Sequence, residues 1–334
     1  MLRILALLCI MVATVRPAYA ESPRVVTDIA PVHSLVAMVM QGIGEPEVLM
    51  PPGTSPHDFA LRPSDARNLA QADVVVWIGE ALTPGLARSI ASLAGSARSV
   101  ELLEAPGTFH LAYRSGAVFG HDHHDRHKHD KAHKDPARHG DHTDHKHHDD
   151  HAEHGAHEDH KHHGDMDPHA WQDPENAKVW LEVIANTLSS IDPGNATAYR
   201  ANASASAMQI DDLVAALRTQ LAPLTGRGFV VTHDAFHHFE HRFGIEAVAA
   251  ISPGDASQAS AARLQEVSRM LAADAPICIF IEPQMSETLA QTFADEHGAK
   301  VGVIDPVGAT LAPGPGLYPA LLQGIANGLG DCLR

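Results

Sequence analysis

Short β-branched apolar runs alternate along this chain with longer stretches whose apolar residues recur every three to four positions. In the first third, Arg24–Ile29, Val48–Met50, Val74–Ile78 and Ser99–Glu101 read as strands, with helices near His33–Gln41, Pro63–Gln71 and Pro84–Leu93. The alternation resumes further on, with a helix from about Pro174 to Ser189, then strands at Phe229–Thr232, Ala247–Ile251, Ile277–Ile281 and Val301–Ile304 separated by helices. Such alternation predicts βαβ units, parallel sheets and an α/β fold. The arrangement occurs twice without a residue-level repeat, so two similar lobes are inferred from architecture alone.

Between the two halves, Asn195–Leu221 is one long helical pattern, with apolar residues at Tyr199, Ala203, Ala207, Ile210, Val214, Leu217 and Leu221. Asp192-Pro193-Gly194 breaks the chain before it and Pro223 ends it. At 1.5 Å per residue this helix would be ~40 Å long, enough to run along both lobes. The expected organisation is a signal peptide at 1–20, an N-terminal lobe at 21–193, a linker helix at 194–222 and a C-terminal lobe at 223–334.

The leader carries Arg3, an apolar stretch Ile4–Val15 and a small-x-small end, Ala18-Tyr19-Ala20, the pattern of a cleaved export signal. Arg16-Pro17 interrupts the apolar run well short of the ~20 residues that a membrane anchor needs. Cleavage removes Cys9 and leaves Cys278 and Cys332 in a compartment that permits oxidation, so a disulfide between them is expected. Two unpaired buried thiols are the alternative.

Composition then changes the picture. Lys+Arg 24 against Asp+Glu 41 gives a formal charge of −17, with no cationic excess to bind nucleic acid or anionic lipid. The count of 26 histidines is several times ordinary, and histidine is the commonest metal ligand. Most of them fall between His121 and His163, in HDHHDRHKHDKAHKDPARHGDHTDHKHHDDHAEHGAHEDHKHH, a segment with no apolar residue larger than alanine. Nothing in it can offset the entropy of ordering, so it reads as a disordered loop inserted within the first lobe.

Four residues outside this insertion sit in turns where parallel α/β lobes place their ligands: His57 in PPGTSPHDF, His169 in MDPHAW, His233 in VVTHDAF and Asp305 in VIDPVG. Facing lobes would bring them to one cleft, and three neutral imidazoles with a carboxylate suit Zn²⁺ at Zn–N ~2.0–2.1 Å. Imidazole has an unperturbed pKa of ~6.5 and must be neutral to coordinate, so binding should fade below about pH 6. His237 and His241, four apart on the following helix, could form a surface chelate, although a solvated helix face is the plainer reading.

The run TDIAPVHSLVAMVMQGIGEPEVLMPPGTSPHDFALRPSDARNLAQADVVVWIGEAL, followed by DPHAWQDPENA, VTHDAFHHFEHRFG, CIFIEPQ and VIDPVG, resembles the periplasmic zinc-binding proteins of high-affinity zinc ABC importers, the ZnuA type. The resemblance covers nearly the whole mature chain, insertion included. It implies two (β/α)₄ lobes joined by one rigid helix, with the metal in the interlobe cleft held by His57, His169 and His233 and the fourth position near Asp305. Some relatives carry a glutamate just before the first histidine, where this chain has Pro56, so the fourth ligand would be Asp305 or a water. Manganese-type relatives place Glu at the third position; His233 there favours zinc.

The function so implied is a soluble periplasmic solute-binding protein, monomeric and not membrane-embedded, that delivers Zn²⁺ to a membrane permease while the His-rich loop scavenges zinc. It is expected not to be an enzyme. The alternatives are a zinc-dependent hydrolase, since three histidines plus an open position also describe catalytic zinc, and a manganese-type metal-binding adhesin or zinc buffer. No His-Glu-x-x-His motif or nucleophile elbow supports catalysis.

Overall fold

The computed structural model describes residues 22–119, 166–273 and 278–334. The leader and the segment His121–His163 lie outside the described residues. In the first half, β1 (Val25–Thr27), β2 (Glu47–Val48), β3 (Val74–Trp77) and β4 (Arg98–Glu101) form a parallel sheet in the order β2-β1-β3-β4. In the second half, β5 (Phe229–His233), β6 (Ala247–Ser252), β7 (Cys278–Ile281) and β8 (Lys300–Val303) form a parallel sheet ordered β6-β5-β7-β8. The strand order is the same twice over, which is the architectural repeat read from the alternation. The central strands Val-Val-Thr, Val-Val-Val-Trp, Phe-Val-Val-Thr-His and Cys-Ile-Phe-Ile are buried along their whole length, as strands covered on both faces must be.

Helices α1 (Ala30–Val39), α2 (Pro63–Ala70) and α3 (Pro84–Leu93) belong to the first half, and α4 (Pro174–Ile191) leads out of it. Helix α1 begins three residues earlier than the apolar spacing suggests, because Pro31 in its first turn loses no hydrogen bond there. Helix α5 (Ala196–Leu221) is the long connection, and α6 (His237–Phe243), α7 (Ala261–Ala273), α8 (Thr288–His297) and α9 (Leu317–Leu333) complete the second half. Along α5 the buried stripe is Tyr199, Ala203, Ser206, Ile210, Val214, Leu217 and Leu221. Ser206 takes the place expected of Ala207, since the stripe steps three and then four residues to stay on one face. Asp192 accepts from the Tyr199 hydroxyl (2.9 Å) and the Asn195 amide (2.7 Å), fixing the turn between α4 and α5.

One hydrophobic core runs through both halves, from Val25 and Leu35 through Trp171 and Trp180 to Phe280 and Leu333. Helix α5 packs on α1, α4 and α9. The halves are also joined away from α5. After Thr108 the chain crosses over, and Val118 bridges antiparallel to Ala249 on the edge strand β6, with Phe119 N–H donating to Val248 (2.8 Å) and Ala250 N–H to Ala117 (3.0 Å). The described chain resumes at Met166, which bridges Ala112, and the Asp167 N–H donates to Leu111 (2.9 Å). A segment of the first half thus extends the sheet of the second.

Cys278 at the start of β7 and Cys332 in α9 form a disulfide, with Cα atoms 6.1 Å apart. A side chain at Gly302 would collide with the Phe280 ring, so the glycine on β8 lets α9 and the bridge sit close to the sheet. Closing a loop of this length stabilises by up to ~4 kcal/mol in the chain-entropy model. Reduction is therefore expected to lower the Tm by several degrees while the metal stoichiometry stays constant, since neither sulfur is a candidate ligand. Metal lost together with the bridge would contradict this.

Candidate metal centre

Each candidate ligand is held by a different piece of local structure. His57 lies in a single 3₁₀ turn, Pro56–Asp58, on the connection from β2 to α2. Pro51, Pro52 and Pro56 restrict this loop, and the Arg62 guanidinium anchors its far end by donating to the Leu49 carbonyl (3.3 Å) and to Asp65. His169 precedes the 3₁₀ turn Ala170–Gln172 that opens into α4. His233 is the last residue of β5, the strand at which the order of the second sheet reverses, where open α/β sheets bind their ligands.

These three side chains converge. Ligand atoms of His57, His169 and His233 lie within 4.8 Å of one another, and the ring centroids are 5.1 to 5.3 Å apart, close to an equilateral triangle. His57 Nε2 and His169 Nε2 are 3.3 Å apart. Two nitrogens bound to one tetrahedral zinc at ~2.0–2.1 Å stand about 3.3–3.4 Å apart, so this pair already has the separation of co-ligands. Pro56, Trp171, Ala256, Glu282, Met285 and Pro306 close the hollow, whose volume of about 10 Å³ has room for one ion or one water.

Asp305 is not part of the converging group. Its Oδ1 accepts from the backbone N–H groups of Val307 (3.0 Å) and Gly308 (2.9 Å), shaping the turn after β8, while Oδ2 is buried with no partner. That second oxygen is the only coordinating capacity it has left.

Two carboxylates that the sequence reading passed over support the triad from behind. Asp167 Oδ1 lies 2.7 Å from His169 Nδ1 and also accepts from the His169 backbone N–H (3.0 Å), so Nδ1 carries the hydrogen and Nε2 faces the hollow. Glu282, directly after β7, stands 3.3 Å from His233 Nδ1 and is itself held by the Gln284 amide (2.8 Å). His233 Nε2 reaches the Gly254 carbonyl at 3.1 Å. Gly254 can approach so closely because a Cβ there would strike the Tyr113 ring. The signals for both carboxylates were present as Asp167-x-His169 and as the residue ending the strand in CIFIEPQ, but neither has a periodicity that marks it.

Electrostatics divide the three imidazoles. Burial, then the neighbouring His169 and His233 rings, push His57 down to about 2, with Asp255 opposing. Burial and His233 hold His169 well below its ordinary value. Burial also disfavours the His233 cation, yet Glu282, the Gly254 carbonyl and Asp234 outweigh it and raise its pKa. Burial lifts Asp167 up to about 6, with His238 and the His169 N–H opposing, so it is ionised at neutral pH.

The profile of a family described as zinc-uptake complex component A, periplasmic (ZnuA), matches residues 25–332. The chain belongs to this family. It is 44% identical over 318 residues to the high-affinity zinc uptake system protein ZnuA of Paracoccus denitrificans, covering 95% of this chain and 94% of the relative. The protein of the same name from Brucella abortus is 39% identical over 313 residues, covering 94% and 92%. Among solved structures, a crystal structure of ZnuA superposes with a TM-score of 0.71 at 18% identity, covering 94% of this chain and all (100%) of that one. The periplasmic zinc-binding protein TroA from Treponema pallidum gives 0.71 at 22% identity, covering 94% and 99%. These structures share with this ZnuA-family chain the two-lobed α/β fold.

The pKa pattern modifies the acid sensitivity expected from three ordinary histidines. Of the three rings only His233 has its pKa raised, so it is the ring from which a metal using all three must displace a proton at mildly acidic pH. Since the raised pKa leaves His233 protonated below it and neutral above it, affinity should fall by about tenfold per pH unit below that value, not by the cube of that factor. Calorimetry in two buffers of different ionisation enthalpy near pH 6.5 should count about one proton released per ion; a count near zero or three would refute this assignment.

Proposed function

We propose that this protein captures Zn²⁺ in the cleft between its lobes and delivers it to the membrane permease of an ABC importer, working in the periplasm after removal of residues 1–20. The observation that carries this reading is the convergence of three imidazoles, two of them held neutral, in a hollow the size of one ion. An all-nitrogen triad suits zinc, whereas manganese favours harder oxygen donors. His57, His169 and His233 are assigned as the ligands, with the unpaired Oδ2 of Asp305 or a water in the fourth position. The names of the relatives support the same reading, and no helix among the described residues is long and apolar enough to cross a membrane.

A zinc hydrolase needs a base free to activate water. Asp167 and Glu282, the carboxylates in contact with the triad, are turned onto imidazole nitrogens, which supports transport over catalysis. Delivery also places a demand that catalysis does not, since the ion must leave. A triad whose third ring can take back a proton provides a competitor for the metal at that moment.

Zinc titration of the mature protein should show one tight site. His57→Ala, His169→Ala and His233→Ala should each weaken it far more than Asp305→Ala, because a water replaces an oxygen donor more readily than an imidazole. Asp305→Ala as the most damaging of the four would overturn the ligand ranking. The insertion His121–His163 is assigned a scavenging role: its deletion should leave cleft affinity nearly unchanged yet slow growth when chelators make zinc scarce. Equal growth of deleted and intact strains across a chelator series would make it a passive insert.

A further inference from the structure

Behind the triad, Asp167 stands between two histidines. Its Oδ1 engages His169, while its Oδ2 lies 3.8 Å from Nδ1 of His237, the first residue of α6. His237 Nδ1 is buried and has no hydrogen-bond partner, so its other ring nitrogen is the one left to meet solvent. One helical turn on, His241 is exposed, and its ring stacks on Phe109 with centroids 5.0 Å apart at 25°. Histidines at i and i+4 occupy the same helix face and can reach a single zinc ion. Both line a groove of about 180 Å³ bounded by Phe119, Ala247 and Val248, none of which lines the triad hollow.

Arg114 also lines this groove, and its charge would repel a cation were it free. It is not: its guanidinium pairs with Asp234 and, at 2.6 Å, with Glu240. The two anions on one cation leave the groove without net positive charge from this cluster. His238, next in sequence, is only 1% exposed and meets the edge of Phe109, so a solvent ion cannot reach it.

We propose that His237 and His241 form an outer site for a borderline divalent cation such as Zn²⁺, completed by water, and that Asp167 couples this site to the triad. With two flexible-shelled imidazole ligands instead of three buried ones, the outer site binds more weakly. The coupling has a definite sign. A cation on the outer nitrogen of His237 adds positive charge to a ring 3.8 Å from Asp167 Oδ2, and a cation on His169 polarises Nδ1–H toward Oδ1; each draws on the same carboxylate charge. Filling one site therefore weakens the other, and by linkage the effect is mutual. This part rests on the triad being the zinc site. An outer ion that is loosened once the cleft is filled belongs to a waiting position and not to a store.

Histidine-selective carbethoxylation of the full chain, read residue by residue by mass spectrometry with zinc alone as the probe, tests both parts. Zinc beyond the first equivalent should slow modification of His241 severalfold, with buried His238 unreactive throughout as internal control. His237→Ala should abolish that protection. Protection of His241 that is absent in the intact chain, or that survives His237→Ala, would overturn the outer site. With free zinc fixed by a chelator buffer, protection of His241 in His57→Ala, which impairs the triad without touching α6, should persist and appear at lower free zinc; an unchanged free-zinc requirement would overturn the coupling. A His57→Ala protein that keeps its tight site would instead refute the triad and leave the outer site standing.

Discussion

Three imidazoles can share a buried hollow without a metal only if most of them are uncharged. Like charges about 3.3 Å apart in a poorly solvated cleft repel strongly, and desolvation adds to the cost. The protein meets this constraint unequally. His57 and His169 are stripped of basicity, while His233 is the ring whose cation is favoured, because Glu282 and the Gly254 carbonyl face its two ring nitrogens. Much of the surrounding structure serves that division: a carboxylate behind His169, another behind His233, and a glycine where the β6–α7 loop must come close.

Convergence also requires that the lobes hold their relative position, because each supplies part of the triangle. Trp171, two residues after His169, donates its indole N–H to the Pro306 carbonyl (2.7 Å), and Tyr318 on α9 donates to the Trp171 carbonyl (2.8 Å). Gln172 reaches the Ala235 carbonyl (2.8 Å), and Asp173, the cap of α4, takes a two-pronged bond from Arg242 on α6. These ties involve Trp171, Gln172 and Asp173, just after His169, and reach Pro306, Ala235, Arg242 and Tyr318 in the second half. The same short segment that carries a candidate ligand thus registers one lobe on the other, within a continuous apolar core.

The strands and the long helix were legible because burial on both faces, or along one stripe, leaves a periodic trace in sequence. The pairing of Cys278 with Cys332 was legible from arithmetic and compartment. The three histidines were legible by type and by their place after strands and turns, but their mutual geometry was not, since it depends on β5 being the switch strand of its sheet and on α5 aligning two halves far apart in the chain. Asp305 shows the limit of position alone: it follows β8 as expected, yet one of its oxygens is spent on the turn it caps. Asp167, Glu282 and Arg114 have no periodicity that marks them, because a single buried charge is defined by its partners, and those lie 2, 49 and 120 residues away.

The asymmetry of the triad assigns different work to each ring. His169 and His233 are each backed by a buried carboxylate, which fixes the ring and strengthens its donation to a metal. His57 has no such partner; only the exposed Asp255 acts on it, and it sits on a half-exposed turn between prolines. Burial and the two neighbouring rings push it down to about 2, so it faces little competition from protons. An ion entering the cleft therefore meets two anchored rings, one of which must give up a proton, and one ring on a separate loop whose lone pair is already available. On the proposed ligand assignment, His233 is the ring at which a proton competes with the metal, and His57 completes the shell at no further cost in protonation. A site with three equally basic histidines would instead hold up to three protons at mildly acidic pH and repel a cation.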